Sequence, residues 1–179
     1  RMGAFIQKFL GVPYACAPRP QKAYYRQFGT TLAGMMQVHS MDPKAFLDYV
    51  HDIDLSGVPE APALDAAISR LPGRKLIFTN GTRWHAERVA TKLGVLGQFE
   101  GIFDIVDSDY IPKPHRTPYD KFLADHKIAP ESAAMFEDMP HNLEAPHHLG
   151  MTTVLVQSAA DYDNVVQRKI RSWTSVPEH

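Results

Sequence analysis

The spacing of apolar residues along the chain changes after Pro59. Before that point, apolar positions recur at intervals of about three and four residues, as expected for one face of a helix. Prolines and glycines interrupt this pattern, and no strand pattern appears before residue 70. The first 57 residues are therefore predicted to form an all-helical unit. Its helices are predicted over about 3–10, 21–28, 31–39 and 43–50, and 11–20 is predicted to contain a loop.

From Pro59 onward, short apolar runs alternate with helical patterns. This alternation is typical of an α/β fold with a parallel, doubly wound sheet. Residues 58–179 are therefore predicted to form the α/β core, although no element can be assigned after Gln157. The predicted helices are 61–71, 82–93, 117–126 and 140–149, and the predicted strands are 75–79, 101–106, 133–137 and 152–156.

Composition excludes several classes of partner. The formal net charge is −1, so nothing attracts the chain to a nucleic acid polymer or an anionic membrane. No apolar run reaches the roughly 20 residues needed to span a bilayer. The single cysteine, Cys16, cannot form an intramolecular disulfide, which fits a reducing compartment. We therefore expect a cytoplasmic protein whose partner is a small molecule.

The segment Phe78-Thr79-Asn80-Gly81 leaves a predicted strand and enters a predicted helix. A threonine hydroxyl, successive backbone N–H groups and a helix N-terminus together form an anion site. Thr79, Asn80 and Gly81 are therefore candidate binding residues. An ordinary strand-to-helix turn uses the same residue types, so the segment alone leaves both interpretations open.

Two further polar features follow predicted strands. Lys113 lies between prolines, which stiffen its loop, and a fixed ammonium there could neutralise a phosphoryl group or a carboxylate. A solvated surface lysine is the alternative. Glu137 and Asp138 end the third predicted strand, and adjacent carboxylates suit Mg²⁺, which prefers oxygen ligands. An acidic N-cap of the next helix is the alternative there.

In chain order, Thr79, Lys113 and the Glu137–Asp138 pair resemble the second, third and fourth motifs of the haloacid dehalogenase superfamily. The resemblance is closest to its pyrimidine 5′-nucleotidase-like branch and covers about residues 1–157. The segments that carry it are Lys-Ala-Tyr-Tyr-Arg-Gln-Phe-Gly-Thr-Thr-Leu-Ala-Gly, Tyr-Val-His-Asp-Ile-Asp, Lys-Leu-Ile-Phe-Thr-Asn-Gly, Gly-Ile-Phe-Asp-Ile-Val, Ala-Ala-Met-Phe-Glu-Asp and Leu-Gly-Met-Thr-Thr-Val-Leu-Val.

The resemblance implies a role for each motif. Thr79 is expected to hydrogen-bond phosphoryl oxygens, and Lys113 to hold the phosphate and the nucleophile together. Asp138 is expected to bind Mg²⁺, helped by Glu137 directly or through water. Residues 1–57 become a helical cap that closes over a Rossmann-like core and excludes water.

Three residues of this cap are candidate contacts for a base or a ribose: Tyr25, Thr30 and Thr31. For the neighbouring Tyr24, packing between cap helices is an equally good interpretation. The implied activity is a Mg²⁺-dependent phosphomonoesterase acting on a nucleoside 5′-monophosphate that carries a pyrimidine base. Three alternatives remain open: a phosphatase for another small phosphate ester, a non-catalytic protein that binds a phosphometabolite, and a dehalogenase.

The superfamily's first motif, Asp-x-Asp-x-Thr at the end of the first core strand, does not occur in residues 1–179. Its first aspartate forms the aspartyl-phosphate and its second is the general acid and base. Asp52 and Asp54 have the spacing, but they follow a helical pattern and lack the threonine. We interpret the sequence as part of a longer protein, with a degenerate non-enzyme as the alternative. Residues 1–179 alone are expected to be inactive.

Overall fold

The structure is a computed structural model that describes residues 1–16 and 18–157 of the chain. Contacts between residues divide the chain into two compact units, Arg1–His126 and Lys127–His179. The tail after Gln157, to which no element could be assigned, lies outside the described residues. No helix within the described residues combines the length and the apolar character required to cross a membrane.

The first four α-helices of the first unit lie within residues 1–57 and no strand occurs among them, which confirms that the described part of this segment is helical. Local signals fix their ends. Gly11 adopts the left-handed conformation (φ 64°) that glycine tolerates best. The Thr30 hydroxyl accepts the Ala33 N–H at 3.0 Å, and the Asp42 carboxylate accepts the Lys44 N–H at 3.0 Å. The helices are α1 (Met2–Leu10), α2 (Pro18–Phe28), α3 (Thr31–His39) and α4 (Pro43–His51).

Helix α2 begins at Pro18, three residues earlier than predicted. Prolines 18 and 20 were assigned to a loop because proline breaks helix interiors. In the first turn of a helix, however, the N–H that proline lacks has no intrahelical partner in any case. Both prolines are therefore compatible with the start of α2, and the predicted boundary was wrong.

Apolar side chains from these helices form one core with Ile105. Phe5 meets Phe46 edge to face, with ring centroids 5.1 Å apart. Gly34 allows α3 to approach α2, because a methyl group there would collide with Tyr24 and lie 2.9 Å from Phe28 Cδ2. The buried members of this core are Leu32, Met35, Met41, Phe46, Leu47 and Ile105.

The rest of the first unit alternates helices with two parallel strands, as the pattern predicts. Strand β1 pairs with β2 in the register Leu76 to Gly101, Ile77 to Ile102 and Phe78 to Phe103. Phe78 also stacks on Phe122 of the helix that follows β2, with ring centroids 5.0 Å apart. The elements are α5 (Pro62–Ser69), β1 (Leu76–Phe78), α6 (Arg83–Leu93), β2 (Gly101–Phe103) and α7 (Arg116–Asp125).

In the second unit, β3 (Ala134–Glu137) pairs in parallel with β4 (Thr152–Leu155). The helix predicted over 140–149 divides into a 3₁₀ turn, Pro140–Leu143, and α8 (Glu144–His148). Among the described residues, each of the four strands has one hydrogen-bonded neighbour. The helix-rich α/β architecture with parallel strands is therefore confirmed.

The contacts do not separate residues 1–57 from the residues that follow in the first unit. Arg88 of α6 donates hydrogen bonds to the carbonyls of His51 and Ile53, at 3.1 and 2.8 Å. The contacts within the first unit therefore do not mark a boundary near residue 57. The cap boundary there stays a prediction.

Candidate functional site

The loop that leaves β1 is closed by its own side chains. Thr79 Oγ1 accepts the Gly81 N–H at 2.9 Å, and the Thr79 N–H donates to the Phe103 carbonyl at 3.0 Å. Thr82 caps α6, its hydroxyl accepting the His85 N–H at 3.3 Å. The loop therefore leads directly into the N-terminus of α6, where the helix dipole favours an anion.

Lys113 is buried beside the end of β1, although lysine is rarely buried. Its side chain is only 6% exposed, and its Nζ donates to the Phe78 carbonyl at 3.0 Å. Phe78 immediately precedes Thr79, so the structure brings the ammonium to the strand end that carries the threonine. The alternative of a solvated surface lysine is excluded by this burial.

Asn80 connects the Thr79 loop to the Lys113 loop. Its Oδ1 accepts the Lys113 N–H at 2.8 Å, and its Nδ2 donates to the Lys113 carbonyl at 3.1 Å. Asn80 was predicted to bind substrate. In the structure its amide instead holds the backbone of Lys113, which makes it a positioning residue. A direct contact between Asn80 and substrate stays a prediction.

Asp104, which is not among the residues predicted from the sequence, organises the same region. It is 5% exposed and directly follows β2. Its Oδ2 accepts the Arg83 N–H at 2.7 Å, and its Oδ1 accepts the N–H groups of Val106 and Asp107, both at 2.9 Å. These turn bonds end β2 at Phe103, three residues before the predicted end. An aspartate directly after an apolar strand was the available signal.

Two histidines, His51 and His85, pack against each other next to the loop that leaves β1. The rings of His51 and His85 stack with centroids 4.4 Å apart and planes 8° apart. His51 Nδ1 lies 3.0 Å from Thr82 Oγ1. Burial, together with the nearby His85, lowers the pKa of His51 to about 4, against a smaller opposing effect of Asp48. Burial and then Arg88 lower the pKa of His85 as well. Both rings are therefore neutral near neutral pH.

The candidate substrate contacts of the helical segment have different surroundings. Tyr25 is 44% exposed, Thr30 caps α3, and Thr31 is buried with its hydroxyl 3.4 Å from the Gln21 carbonyl. Thr30 and Thr31 line a cavity of about 140 Å³ that also reaches His51 and Asn80. Their contact with substrate stays a prediction.

Tyr24 has the packing role that the sequence allowed. Its hydroxyl lies 2.6 Å from His39 Nε2, and its ring is 5.8 Å from the His39 ring. Both residues lie on neighbouring helices of the helical segment. The contact therefore joins α2 to α3.

The predicted metal ligands belong to the second unit. Glu137 ends β3, and its Oε1 accepts a hydrogen bond from Asn142 Nδ2 at 2.6 Å. Asp138 follows it and is exposed. Within the described part of the chain, no three histidine, cysteine or acidic side chains gather as a metal-binding group. Metal binding by Asp138 and Glu137 stays a prediction.

Solved structures share this fold at low sequence identity. A HAD phosphatase from Thermococcus onnurineus is 13% identical, with a TM-score of 0.56 over 89% of this chain and 77% of that chain. The L-2-haloacid dehalogenase of Xanthobacter autotrophicus, with chloropropionic acid covalently bound, is 13% identical, with a TM-score of 0.53 over 99% and 80%. A HAD family enzyme from Bacteroides thetaiotaomicron, complexed with magnesium and inorganic phosphate, is 15% identical, with a TM-score of 0.51 over 92% and 90%.

The family assignment comes from the sequence itself. Residues 15–156 match the model of the haloacid dehalogenase-like hydrolases. The match includes both strand ends described above, the Lys113 loop and most of the helical segment. The chain therefore belongs to the haloacid dehalogenase-like hydrolase family.

Proposed function

We propose that this hydrolase is a magnesium-dependent phosphomonoesterase of the cytoplasm whose substrate is a nucleoside 5′-monophosphate, with a pyrimidine nucleoside as the preferred leaving group. The observation that carries the proposal is the buried ammonium of Lys113, held beside Thr79 at the end of β1. The resemblance to the pyrimidine 5′-nucleotidase-like branch supports the substrate class.

The argument for a phosphoryl ligand is electrostatic. Removing an ammonium from water costs several kcal/mol unless an anion or well-placed acceptors compensate. Lys113 has the Phe78 carbonyl as an acceptor, and the Asn80 amide fixes its backbone. The Thr79 hydroxyl and the N-terminus of α6 lie at the same strand end. Together they supply a cation and a hydroxyl beside the positive end of a helix dipole, which suit a phosphoryl group and its negatively charged transition state.

The donor set at the end of β3 fits magnesium. Glu137 and Asp138 offer carboxylate oxygens, which a hard dication prefers, and Asp138 is open to solvent and to the waters that Mg²⁺ retains. The structurally similar Bacteroides enzyme contains magnesium and inorganic phosphate, which supports the same assignment. When bound, the ion would neutralise charge on the phosphoryl oxygens.

In this proposal, residues of the 179-residue chain bind the phosphoryl group and the leaving group. Lys113 neutralises the phosphoryl group and orients the attacking carboxylate, while Thr79 donates to a phosphoryl oxygen. Tyr25, Thr30 and Thr31 contact the leaving group. The attacking carboxylate belongs to an Asp-x-Asp-x-Thr segment, which residues 1–179 do not contain.

A smaller phosphate ester is the second candidate, and one observation favours it. The cavity beside Asn80 has a volume of about 140 Å³, below the roughly 300 Å³ at which typical ligand pockets begin. Thr30 and Thr31 line it, so a small leaving group fits there better than a nucleoside. Comparing turnover of nucleotides with that of sugar phosphates separates the two candidates.

The direct test is phosphate binding by the 179-residue chain, followed in its ¹H–¹⁵N NMR spectrum. Lys113→Met preserves side-chain length but removes the charge, so we expect phosphate affinity to fall at least tenfold. The control is Lys92→Met, because Lys92 is an exposed lysine of α6. Equal affinity in Lys113→Met and the unsubstituted chain would contradict the proposed phosphoryl site.

Activity tests the metal assignment. In a protein that carries the Asp-x-Asp-x-Thr segment, Asp138→Asn is expected to abolish Mg²⁺-dependent turnover, because a neutral amide is a much weaker ligand for a hard dication. The 179-residue chain is expected to show no turnover of nitrophenyl phosphate, since loss of a nucleophile can cost about a millionfold in rate. Robust Mg²⁺-dependent turnover by this chain would contradict our interpretation of the first motif.

A further inference from the structure

Beside Gly81, the glycine hydrogen leaves a gap that two polar side chains approach. A Cβ atom placed on Gly81 would lie 3.3 Å from Thr79 Oγ1 and 3.5 Å from His51 Nε2. The hydroxyl of the predicted phosphoryl-binding threonine and the Nε2–Cε1 edge of the His51 ring thus lie near the same point. His51 is 28 residues away from Thr79 in sequence, at the end of α4.

The nitrogen of His51 that carries the hydrogen is linked to the direction of its hydrogen bond with Thr82. Thr82 Oγ1 accepts the His85 N–H and lies 3.0 Å from His51 Nδ1, so its hydroxyl hydrogen can be donated to that nitrogen. A neutral imidazole has one donor and one acceptor nitrogen. When Nδ1 accepts the Thr82 hydroxyl hydrogen, the ring hydrogen is on Nε2, which is the ring nitrogen closer to the gap beside Gly81.

The imidazole is held in place from three directions. Its ring stacks on His85, and Thr82 bonds its Nδ1. Arg88 donates to the His51 carbonyl at 3.1 Å and lies over the Trp84 ring, 4.4 Å from its centroid. A donor fixed in this way requires little reordering when it meets a ligand, which favours binding.

We propose that His51 is a further ligand-binding residue of this site, donating its Nε2–H to an oxygen of the phosphoryl group bound at the Thr79 loop. This inference rests on the proposed function and adds a neutral donor opposite Thr79. The neutral ring fits this role, because burial and His85 lower its pKa to about 4, and a neutral imidazole has one donor and one acceptor nitrogen.

Two substitutions separate the nitrogens of the ring. His51→Asn places an amide near the position of Nδ1, so it can keep the Thr82 bond but cannot reach the gap. His51→Gln extends an amide N–H to about the position of Nε2. Phosphate affinity, measured by NMR on the 179-residue chain, is expected to fall about tenfold in His51→Asn. In His51→Gln it is expected to stay within about threefold of the unsubstituted chain.

The matched control is His148→Asn, because His148 is an exposed histidine of α8. It is expected to leave phosphate affinity unchanged. A second readout uses the unsubstituted chain and requires no variant to fold. In the long-range ¹H–¹⁵N spectrum of its imidazoles, phosphate should shift the Nε2 resonance of His51 more than its Nδ1 resonance.

The outcomes distinguish this inference from the proposed function. If Lys113→Met loses affinity while His51→Asn keeps it and the His51 resonances do not move, the inference is overturned and the phosphoryl site stands. Equal losses in His51→Asn and His51→Gln without a shift of Nε2 would indicate a purely structural histidine and also overturn it. Failure of the unsubstituted chain to bind phosphate would overturn both.

Discussion

The side-chain amide of Asn80 hydrogen-bonds both backbone groups of Lys113, accepting the N–H at 2.8 Å and donating to the carbonyl at 3.1 Å. The side-chain amide thus forms with Lys113 the pair of hydrogen bonds that a residue of a neighbouring strand forms in a β-sheet. It positions the lysine backbone against the loop that follows β1, and the lysine side chain then returns to the Phe78 carbonyl. Asn80 is therefore the link between the two candidate phosphoryl-binding elements.

Asn80→Ala is expected to lower both stability and ligand affinity. Two hydrogen bonds are lost and the Lys113 backbone loses its fixed partner, so the free energy of unfolding should fall by about 1–3 kcal/mol. Phosphate affinity should fall by about tenfold or more, because the ammonium is no longer positioned. Urea unfolding and NMR titration measure the two effects. Gln7→Ala, at an exposed position of α1, is the control.

Asn80→Asp tests the donor half of the same link. The carboxylate keeps the shape and the acceptor for the Lys113 N–H, but it faces the Lys113 carbonyl with an oxygen instead of an N–H. We expect a loss of stability comparable to that in Asn80→Ala, seen as a lower urea midpoint. Unchanged stability in Asn80→Asp would show that the Nδ2 bond contributes little.

Asp104→Ala is expected to destabilise the protein by about 2–4 kcal/mol. The buried carboxylate accepts three backbone N–H groups, from Arg83, Val106 and Asp107, and its removal leaves those donors unsatisfied. The matched control is Asp125→Ala, which removes an exposed carboxylate whose ion pair with Lys121 contributes little. Equal effects of the two substitutions in urea unfolding would contradict the organising role of Asp104.

Gly34→Ala is expected to disturb the contact between α2 and α3. The added methyl group would collide with Tyr24 and lie 2.9 Å from Phe28, and overpacking of this kind costs about 1–3 kcal/mol. Gly57→Ala is the control, because a Cβ there meets nothing within 4 Å and the backbone needs no left-handed conformation. Thermal unfolding should separate the two variants, and equal midpoints would contradict the close helix approach.

The stacked histidines predict a specific pH dependence of stability. The pKa of His51 is about 4 in the folded chain, below its ordinary value of 6.5, so the unfolded chain binds more protons between those values. Stability is therefore expected to fall as the pH drops from about 6.5 to about 4. The groups that act on His51 are His85 and Asp48, and Arg88 lowers the pKa of His85.

Substitution at His51 should remove part of that dependence. We expect the difference in unfolding free energy between pH 7 and pH 5 to be smaller in His51→Gln than in the unsubstituted chain, because the variant has one proton-binding group fewer. His148→Gln, which alters an exposed histidine, is the control. An unchanged difference in His51→Gln would show that His51 is not the group whose protonation opposes folding.

Local features of the sequence predicted most of the elements correctly. Helix caps at Thr30 and Asp42 and the alternation of apolar runs act over a few residues, so the chain specifies them wherever it folds. The errors were also local. The start of α2 was misplaced because proline in a first turn resembles proline in a loop. The end of β2 was misplaced because the Asp104 side chain takes over backbone N–H groups that a longer strand would pair.

The sequence alone determined the family resemblance and the candidate residues of the site. These residues are Thr79 after a strand, Lys113 in a proline-bounded loop, and the acidic pair at Glu137 and Asp138. Only the tertiary structure decided the use of these residues. It turned the Asn80 amide toward a lysine 33 residues away, buried Lys113 against β1, and directed His51 toward the gap beside Gly81. The physical reason is that capping and periodicity depend on neighbours in sequence, whereas burial and hydrogen-bond partners between distant residues depend on how the strands and helices pack.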